Sequence, residues 1–292
     1  MTGGWIFSIS PASSLVMNAK HNLPTILLRE VEKGEWWMEM PRITVEVDER
    51  LQAGIDWMRS GEFRKATAIF SQLIKELPEH LDAYHHLALT QQRAGMVKEA
   101  ADVWRCAVEL ALKFFPERFD FDRHRLPWLE IGNRPFLRAY HGLGLCLLNE
   151  GEIEAALEIF ERMVSLNPND NQGARALAVG CLFELREPEG VLSVCRQYPD
   201  DGMEQLVYGR PLALFQLGRL KTATTALKRA IKFLPLIAKE LAKKKHRRPP
   251  GTNDGYVTMG GADQAYGYWK DQGKHWQETP GALDWLKVCL AC

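Results

Sequence analysis

From about residue 50 to residue 235, apolar positions recur three and four apart in runs separated by short polar turns, which predicts a succession of amphipathic helices. The runs come in twos. Leu51–Ser60 is followed by Arg64–Glu76, and His80–Ala94 by Val97–Leu112, with Gly61 and Gly95 in the two turns. These glycines stand 34 residues apart, and Ala66 with Ala100 and Phe70 with Trp104 keep the same spacing. The unit returns at Gly151 with Ala156, Phe160 and Pro168, and at Gly218 with Ala223, Leu227, Ala230 and Pro235. Such a period belongs to stacked helix–turn–helix units, in which one pair hides its apolar face only against its neighbours. Gly54, Ala66, Ala88 and Ala100 allow antiparallel helices to approach closely, while Trp57, Phe70, Tyr84 and Trp104 are expected to fill the space between pairs.

The register breaks in three places. Gly151 follows Gly95 by 56 residues, which leaves an insertion over residues 113–134, rich in aromatic and charged side chains. It reads either as a packed loop after a longer helix or as a binding loop on one face. In the unit Asn171–Tyr198, Leu185-Arg186-Glu187-Pro188 replaces the glycine turn. Pro211 falls inside the first helix of the unit Met203–Pro235, which should start late or kink there.

Outside the repeats the pattern changes. Ile26–Val31 and Trp36–Met40 flank a short Gly-containing connection and predict a β-hairpin, with Ile43–Val47 alternating in the same way. A lone hairpin is marginal in water, so it is expected to cover the apolar edge of the first helices. Residues 1–16 read as a poorly ordered extension, with Met17 as an alternative start. Beyond Pro235 come a short helix over Leu236–Lys245, a Pro/Gly-rich loop over 249–261, and helices over Asp263–Trp276 and Pro280–Ala291. The expected division is therefore an extension (1–16), a β-hairpin cap (17–48), a solenoid of about five helix pairs (49–235) and a helical cap (236–292).

The register resembles the tetratricopeptide repeat (TPR) family over roughly residues 47–235. The residues that carry it are Gly54, Trp57, Gly61, Ala66, Phe70 and Pro78, then Tyr84, Leu87, Ala88, Gly95, Ala100 and Trp104, then Tyr140, Leu143, Gly144, Gly151, Ala156, Phe160 and Pro168. The resemblance implies an all-α fold, a right-handed superhelix of helical hairpins, and peptide binding on a concave face lined by the first helix of each pair. Asn133–Ala139 and Asn167–Gly173 also resemble blocks of bacterial TPR proteins of unassigned function. Some TPR domains grip chaperone tails through a clamp of Lys, Asn and Arg. The equivalent positions here are Leu51, Ile55, His86, Arg138 and Gly142, which argues against that mode.

The chain has 292 residues, with 37 basic and 37 acidic side chains and a formal net charge of zero, so wholesale adsorption to nucleic acid or membrane is not expected. No apolar stretch approaches the roughly 18 residues a membrane span needs. Six scattered cysteines and an N-terminus without a basic opening point to a cytoplasmic protein rather than a disulfide-stapled secreted one.

Projecting the first helices onto one face gathers Asp82, His85, His86, Arg93, Arg138, His141, Gln172, Arg175 and Tyr208 into an expected partner groove, suited to a carboxylate-bearing peptide. The competing reading pairs Arg138 and Arg175 internally, with acids such as Glu130 and Asp170. His85, His86 and His141 do not make a metal site, because neighbouring helical residues point about 100° apart. Asn167–Gly173 is expected to end one helix and to cap the next through Asn169 or Asp170. Cys289-Leu-Ala-Cys292 lacks the second ligand pair of a zinc site.

Lys243, Lys244, Lys245, His246, Arg247 and Arg248 offer an anion contact, to nucleic acid for instance, or form a solvated helix end. No catalytic or cofactor motif is present, and Asp120, Asp122 and His124 are the nearest thing to an acid–base cluster. The expected function is a non-catalytic scaffold that holds a protein partner through the concave groove and the 113–134 insertion. A nucleic-acid accessory factor is the alternative.

Overall fold

A computed structural model describes residues 25–252 and 256–291. The expected extension 1–16, residues 17–24 and Cys292 lie outside the described residues. β1 (Leu27–Glu32) and β2 (Glu35–Glu39) pair antiparallel around a turn in which Gly34 has φ +81°. The alternating stretch Ile43–Val47 is not a strand. Thr44 accepts a hydrogen bond from the Val47 N–H at 3.3 Å and starts α1 (Val45–Arg59), with Glu46 and Asp48 favourably placed in its first turn. The cap overrides the period-two pattern.

Five hairpins follow. α1 pairs with α2 (Phe63–Glu76), α3 (Leu81–Arg93) with α4 (Val97–Leu112), and α5 (Arg134–Glu150) with α6 (Ile153–Leu166). α7 (Ala174–Glu184) pairs with α8 (Pro188–Gln197), and α9 (Glu204–Gln216) with α10 (Leu220–Phe233). Each second helix packs on the next first helix, and α1 touches α3, α3 touches α5, and α7 touches α9 along an inner face. This is an all-α, TPR-like solenoid. The repeated small and aromatic positions Ala66, Phe70, Ala100, Ala156, Phe160 and Ala223 are fully buried in it. Trp57 is an exception, because it lies at the surface under the Lys65 ammonium, 4.1 Å from the ring centroid.

Gly61, Gly95, Gly151 and Gly218 turn their hairpins at φ between +70° and +84°. In the fourth pair Arg186 holds the corresponding left-handed conformation at φ +59°, so the turn survives the loss of glycine at a steric cost. α9 does not start late: it begins at Glu204 and continues through Pro211. After α10 come α11 (Pro235–Leu241), α12 (Ala262–Glu278) and α13 (Ala282–Ala291). α11 stops four residues short of the expected Lys245. Among the described residues no helix is long and apolar enough to cross a membrane.

The hairpin touches the first repeats at the α2–α3 turn, where the Ile26 N–H donates to Glu79 at 3.0 Å, and does not cover α1 and α2 as expected. It packs against the insertion. The Trp36 N–H donates to the Arg125 carbonyl at 2.9 Å, and the Arg125 N–H donates to the Gly34 carbonyl at 2.8 Å. Phe115, Phe119, Phe121 and Trp36 form a cluster with centroids about 5 Å apart. Asn133 is fully buried and joins the parts: its Oδ1 accepts from the Met38 N–H (2.7 Å), and its Nδ2 donates to the Trp36 (3.2 Å) and Pro127 (3.1 Å) carbonyls. Most of residues 113–134 is thus a packed loop.

Arg186→Gly is expected to raise unfolding free energy by up to about 1 kcal/mol, because it removes a left-handed non-glycine residue. Gly142→Ala, where a methyl group would run into the Trp104 indole between α5 and α4, is expected to cost about 1–3 kcal/mol. Urea denaturation of both variants measures the two effects.

Candidate functional site

The inner face divides into two halves of different character. Along α7 and α9 it is filled by α12. His275 stacks on Phe183 (5.3 Å), Tyr268 and Trp276 pack on Tyr208 (5.6 and 6.3 Å), and Gln264 donates to Glu204 at 2.8 Å. Lys274 pairs with Glu184 across the same contact. Tyr208, expected in the groove, is therefore fully buried, with its hydroxyl donating to the Leu234 carbonyl at 2.7 Å.

Arg175 is also withdrawn from the expected groove. Its guanidinium pairs with Asp170 at 2.7 Å and with Asp201, and lies 5.0 Å from the Tyr198 ring. Both acids are nearly inaccessible, so this is an internal charge network. Asp170 also caps α7, accepting from the Ala174 (2.7 Å) and Arg175 (2.9 Å) N–H groups. Gln172 is half-buried in the same loop.

Along α3 and α5 the inner face is open. Here the structure brings together Asp82, His85, His86, Arg138 and His141, with Arg93 exposed at the far end of α3. Arg138 pairs with Asp82 at 3.1 Å and lies 5.7 Å from the Trp128 ring. Glu130, considered as its partner, is not in that pair. The Trp104 Nε1–H donates to His85 Nδ1 at 3.4 Å, and His86 stacks on Phe70 at 5.7 Å. Burial, reinforced by neighbouring His and Arg charges, lowers the His85 pKa from 6.5 to about 3. Burial likewise lowers His86 to about 4 and outweighs the nearby Asp82. His141 is also lowered, by burial. These imidazoles are neutral donors and acceptors, so the face is far less cationic than its composition implies.

At the rim of this half lies a cleft of about 450 Å³ that the sequence did not disclose. Met40, Pro41, Ile43, Leu77, Pro78 and Pro135 line it, and Glu79, His80 and Asp82 form its polar end. The cleft joins the hairpin exit, the α2–α3 turn and the start of α5, which are segments far apart in sequence. Ile131, which also lines it, is 71% exposed, and the neighbouring Leu129 is 74% exposed. This tip is an exposed apolar part of the insertion, whereas its other exposed residues, such as Arg118 and Arg123, are charged.

The other candidates have structural partners. His124 Nδ1 accepts from the Asp120 N–H at 2.9 Å, and Asp120 Oδ1 accepts from the Asp122 N–H at 2.9 Å, so this cluster shapes a turn. In the basic run, Lys243 and His246 both pair with the buried Glu240, and His246 stacks on Trp269 at 3.8 Å. Arg248 donates to Thr252 Oγ1 at 2.7 Å. Lys244, Lys245 and Arg247 are exposed. Cys289 is buried on α13.

Below pH 6.5 the unfolded chain takes up protons at His85 and His86 that the native state refuses until about pH 3 to 4. Stability is therefore expected to fall as pH drops through this window, by up to about 1.4 kcal/mol per unit for each group, and to be unaffected by them above it. Thermal unfolding of a His85→Gln/His86→Gln variant checks this. Its midpoint should change less than the parent's between neutral and mildly acidic buffer.

Among curated proteins no relative matches the sequence. Several solved structures are similar in fold. One is YrrB, described as a TPR protein with an unusual peptide-binding site: it is 20% identical, with 64% of this chain and 85% of that one covered, at a TM-score of 0.46. MamA is 18% identical over 70% of this chain and 98% of its own, at 0.48. A putative kinesin light chain from Podosopora anserina, with nearly identical TPR-like repeats, is 14% identical over 64% and 94%, at 0.46. A family model, rather than the bacterial group suggested by the short blocks, accounts for the sequence over residues 64–267, from α2 into α12. That match spans well over half of the chain, which belongs to the family described as transcriptional repressor TCF25 (Tcf25).

Proposed function

We propose that this chain is a non-catalytic interaction scaffold that holds a segment of a protein partner along the open inner face of α3 and α5, with an apolar side chain of the partner seated in the cleft beside Ile43 and Ile131. The observation that carries this reading is the asymmetry of the inner face. α12 occupies it along α7 and α9, and the accessible remainder adjoins an apolar cleft of about 450 Å³ with exposed apolar residues at its rim. Clefts of this size, mostly apolar with a few fixed polar groups, suit a single anchoring side chain. The neutral histidines and the internally paired Arg138 favour polar and apolar contacts over capture of an acidic tail. An acidic partner is accordingly a poorer fit here than composition suggested.

The description of the family as a transcriptional repressor keeps a nucleic-acid-associated role in view. The basic run supports it weakly. Two of its six side chains are held by Glu240, and Arg248 is bonded to Thr252. Lys244, Lys245 and Arg247, the cations of the run that no described acid or hydroxyl engages, supply too few phosphate contacts for tight binding by charge alone.

A photo-crosslinking residue at Ile131 is expected to trap a partner that the same residue at Lys65, beside Trp57, does not. Ile43→Glu combined with Ile131→Glu should weaken capture of that partner at least about tenfold, the cost of burying an unpaired charge, with the melting temperature unchanged. Equal crosslinking from both positions would remove the assignment.

A further inference from the structure

On the outer side of the fourth and fifth pairs, the surfaces of α8, α9 and α10 enclose a groove of about 650 Å³. Four arginines border it: Arg196 from α8, Arg210 from α9, Arg219 at the start of α10, and Arg229 within α10. Arg219 pairs with Glu189 at 2.5 Å. Arg196, Arg210 and Arg229 are exposed and have no carboxylate partner among the described residues. The acid that lines the groove, Asp201, is already engaged by Arg175 and by the Met203 N–H, so it does not neutralise them. Glu204, at the start of α9, is turned toward Gln264 of α12.

The convergence shows in the thiol at the groove. Burial pushes the Cys195 pKa up to about 11; the charges of Arg210 and Arg196 act in the opposite sense, while that of Asp201 acts with burial. Thr222 and Thr225 add hydroxyls on the α10 side, and most of the remaining lining is apolar. Leu192, Leu206, Val207 and Leu214 form the floor, and Phe233, 57% exposed, stands at one edge.

We infer that this groove is a docking site for an acidic protein segment that also carries apolar side chains. Unpaired guanidinium groups above an aliphatic floor complement carboxylates that alternate with Leu- or Phe-like residues. Arg recognises carboxylates with paired hydrogen bonds, and the floor supplies apolar contact area. RNA fits less well. Sequence-tolerant strand binding uses successive aromatic platforms on which bases stack, whereas this floor is aliphatic, the Tyr198 ring is already covered by Arg175, and Phe233 offers a single exposed ring at the edge. The site lies on the face opposite to α12 and is independent of the partner face proposed above.

The test uses the full chain and three labelled probes: a short peptide of Asp, Glu and Leu, the same peptide with Lys in place of the acids, and single-stranded RNA. Fluorescence anisotropy is expected to show binding of the acidic peptide, weakening as salt rises. Arg210→Glu with Arg229→Glu should reduce affinity at least about tenfold without changing the circular-dichroism melt, since both side chains are exposed. The Ile43→Glu/Ile131→Glu variant should bind this peptide as the parent does, which separates the groove from the inner face. No preference for the acidic over the Lys peptide, preference for RNA, or undiminished binding by the arginine variant would each overturn the assignment.

Discussion

A helix hairpin in this chain has apolar residues on two sides and no means of hiding both. α2, α4, α6, α8 and α10 each pack on a partner within the hairpin and again on the next first helix, α11 in the case of α10. Stability is thus close to a sum of pair terms and neighbour terms, and the free ends are the weak points. The two ends are treated differently. At the C-terminal end α11, α12 and α13 fold back over α7, α9 and α10, and the largest buried side chains there include Tyr208, Tyr268 and Trp276. At the N-terminal end α1 and α2 rest on a small separate core around Leu51, Ile55, Phe70 and Leu87, and Val45 is left 75% exposed. Sealing one end of the stack with the chain's own helix also uses up half of its concave surface.

Charge follows a similar division. A neutral chain distributes its cations unevenly once folded. Arg175 is held between two nearly inaccessible acids, Arg138 faces Asp82, and Lys243 and His246 share Glu240. Burial removes the charge from the inner histidines. Arg196, Arg210 and Arg229 between α8 and α10 stay exposed without a carboxylate partner among the described residues, as do Lys244, Lys245 and Arg247 after α11. Counting basic residues on a projected helix face therefore misjudges the polarity of that face, because it omits the acids contributed by loops such as 170 and 201.

The repeat fold was legible because it is written locally. Period, small residues and turn glycines place α2, α3 and α4 within a residue or two of where they lie and the later pairs by their units, while α1 begins six residues earlier than expected. The capping role of Asp170 follows from local chemistry. Errors arose where a distant segment decides. Tyr208 sits on the predicted face of its helix, but α12 covers that face, and nothing in the local pattern of α12 says where it lands. Ile43–Val47 alternates as a strand would, yet a single threonine cap sets the helix start. The apolar cleft is assembled from three segments and leaves no contiguous signature. Asn133 was seen only as part of a short block, since its value lies in bonding to residues 36 and 38, almost a hundred positions earlier.

That last bond has a topological consequence. Asn133 and Met38 are 95 residues apart, and the segment between them contains the whole of the first two hairpins, α1 to α4. Solenoids ordinarily fray by shedding a terminal repeat, because such a repeat has a neighbour on one side only. Here the strand that precedes α1 is stapled beyond α4, so the terminal repeats sit inside a closed loop. Closing a loop of that length costs roughly 4 kcal/mol of chain entropy, and while the staple holds, that cost is not recovered by loosening α1 alone. The buried amide thus makes the exposed end of a one-dimensional stack behave as an interior part of it.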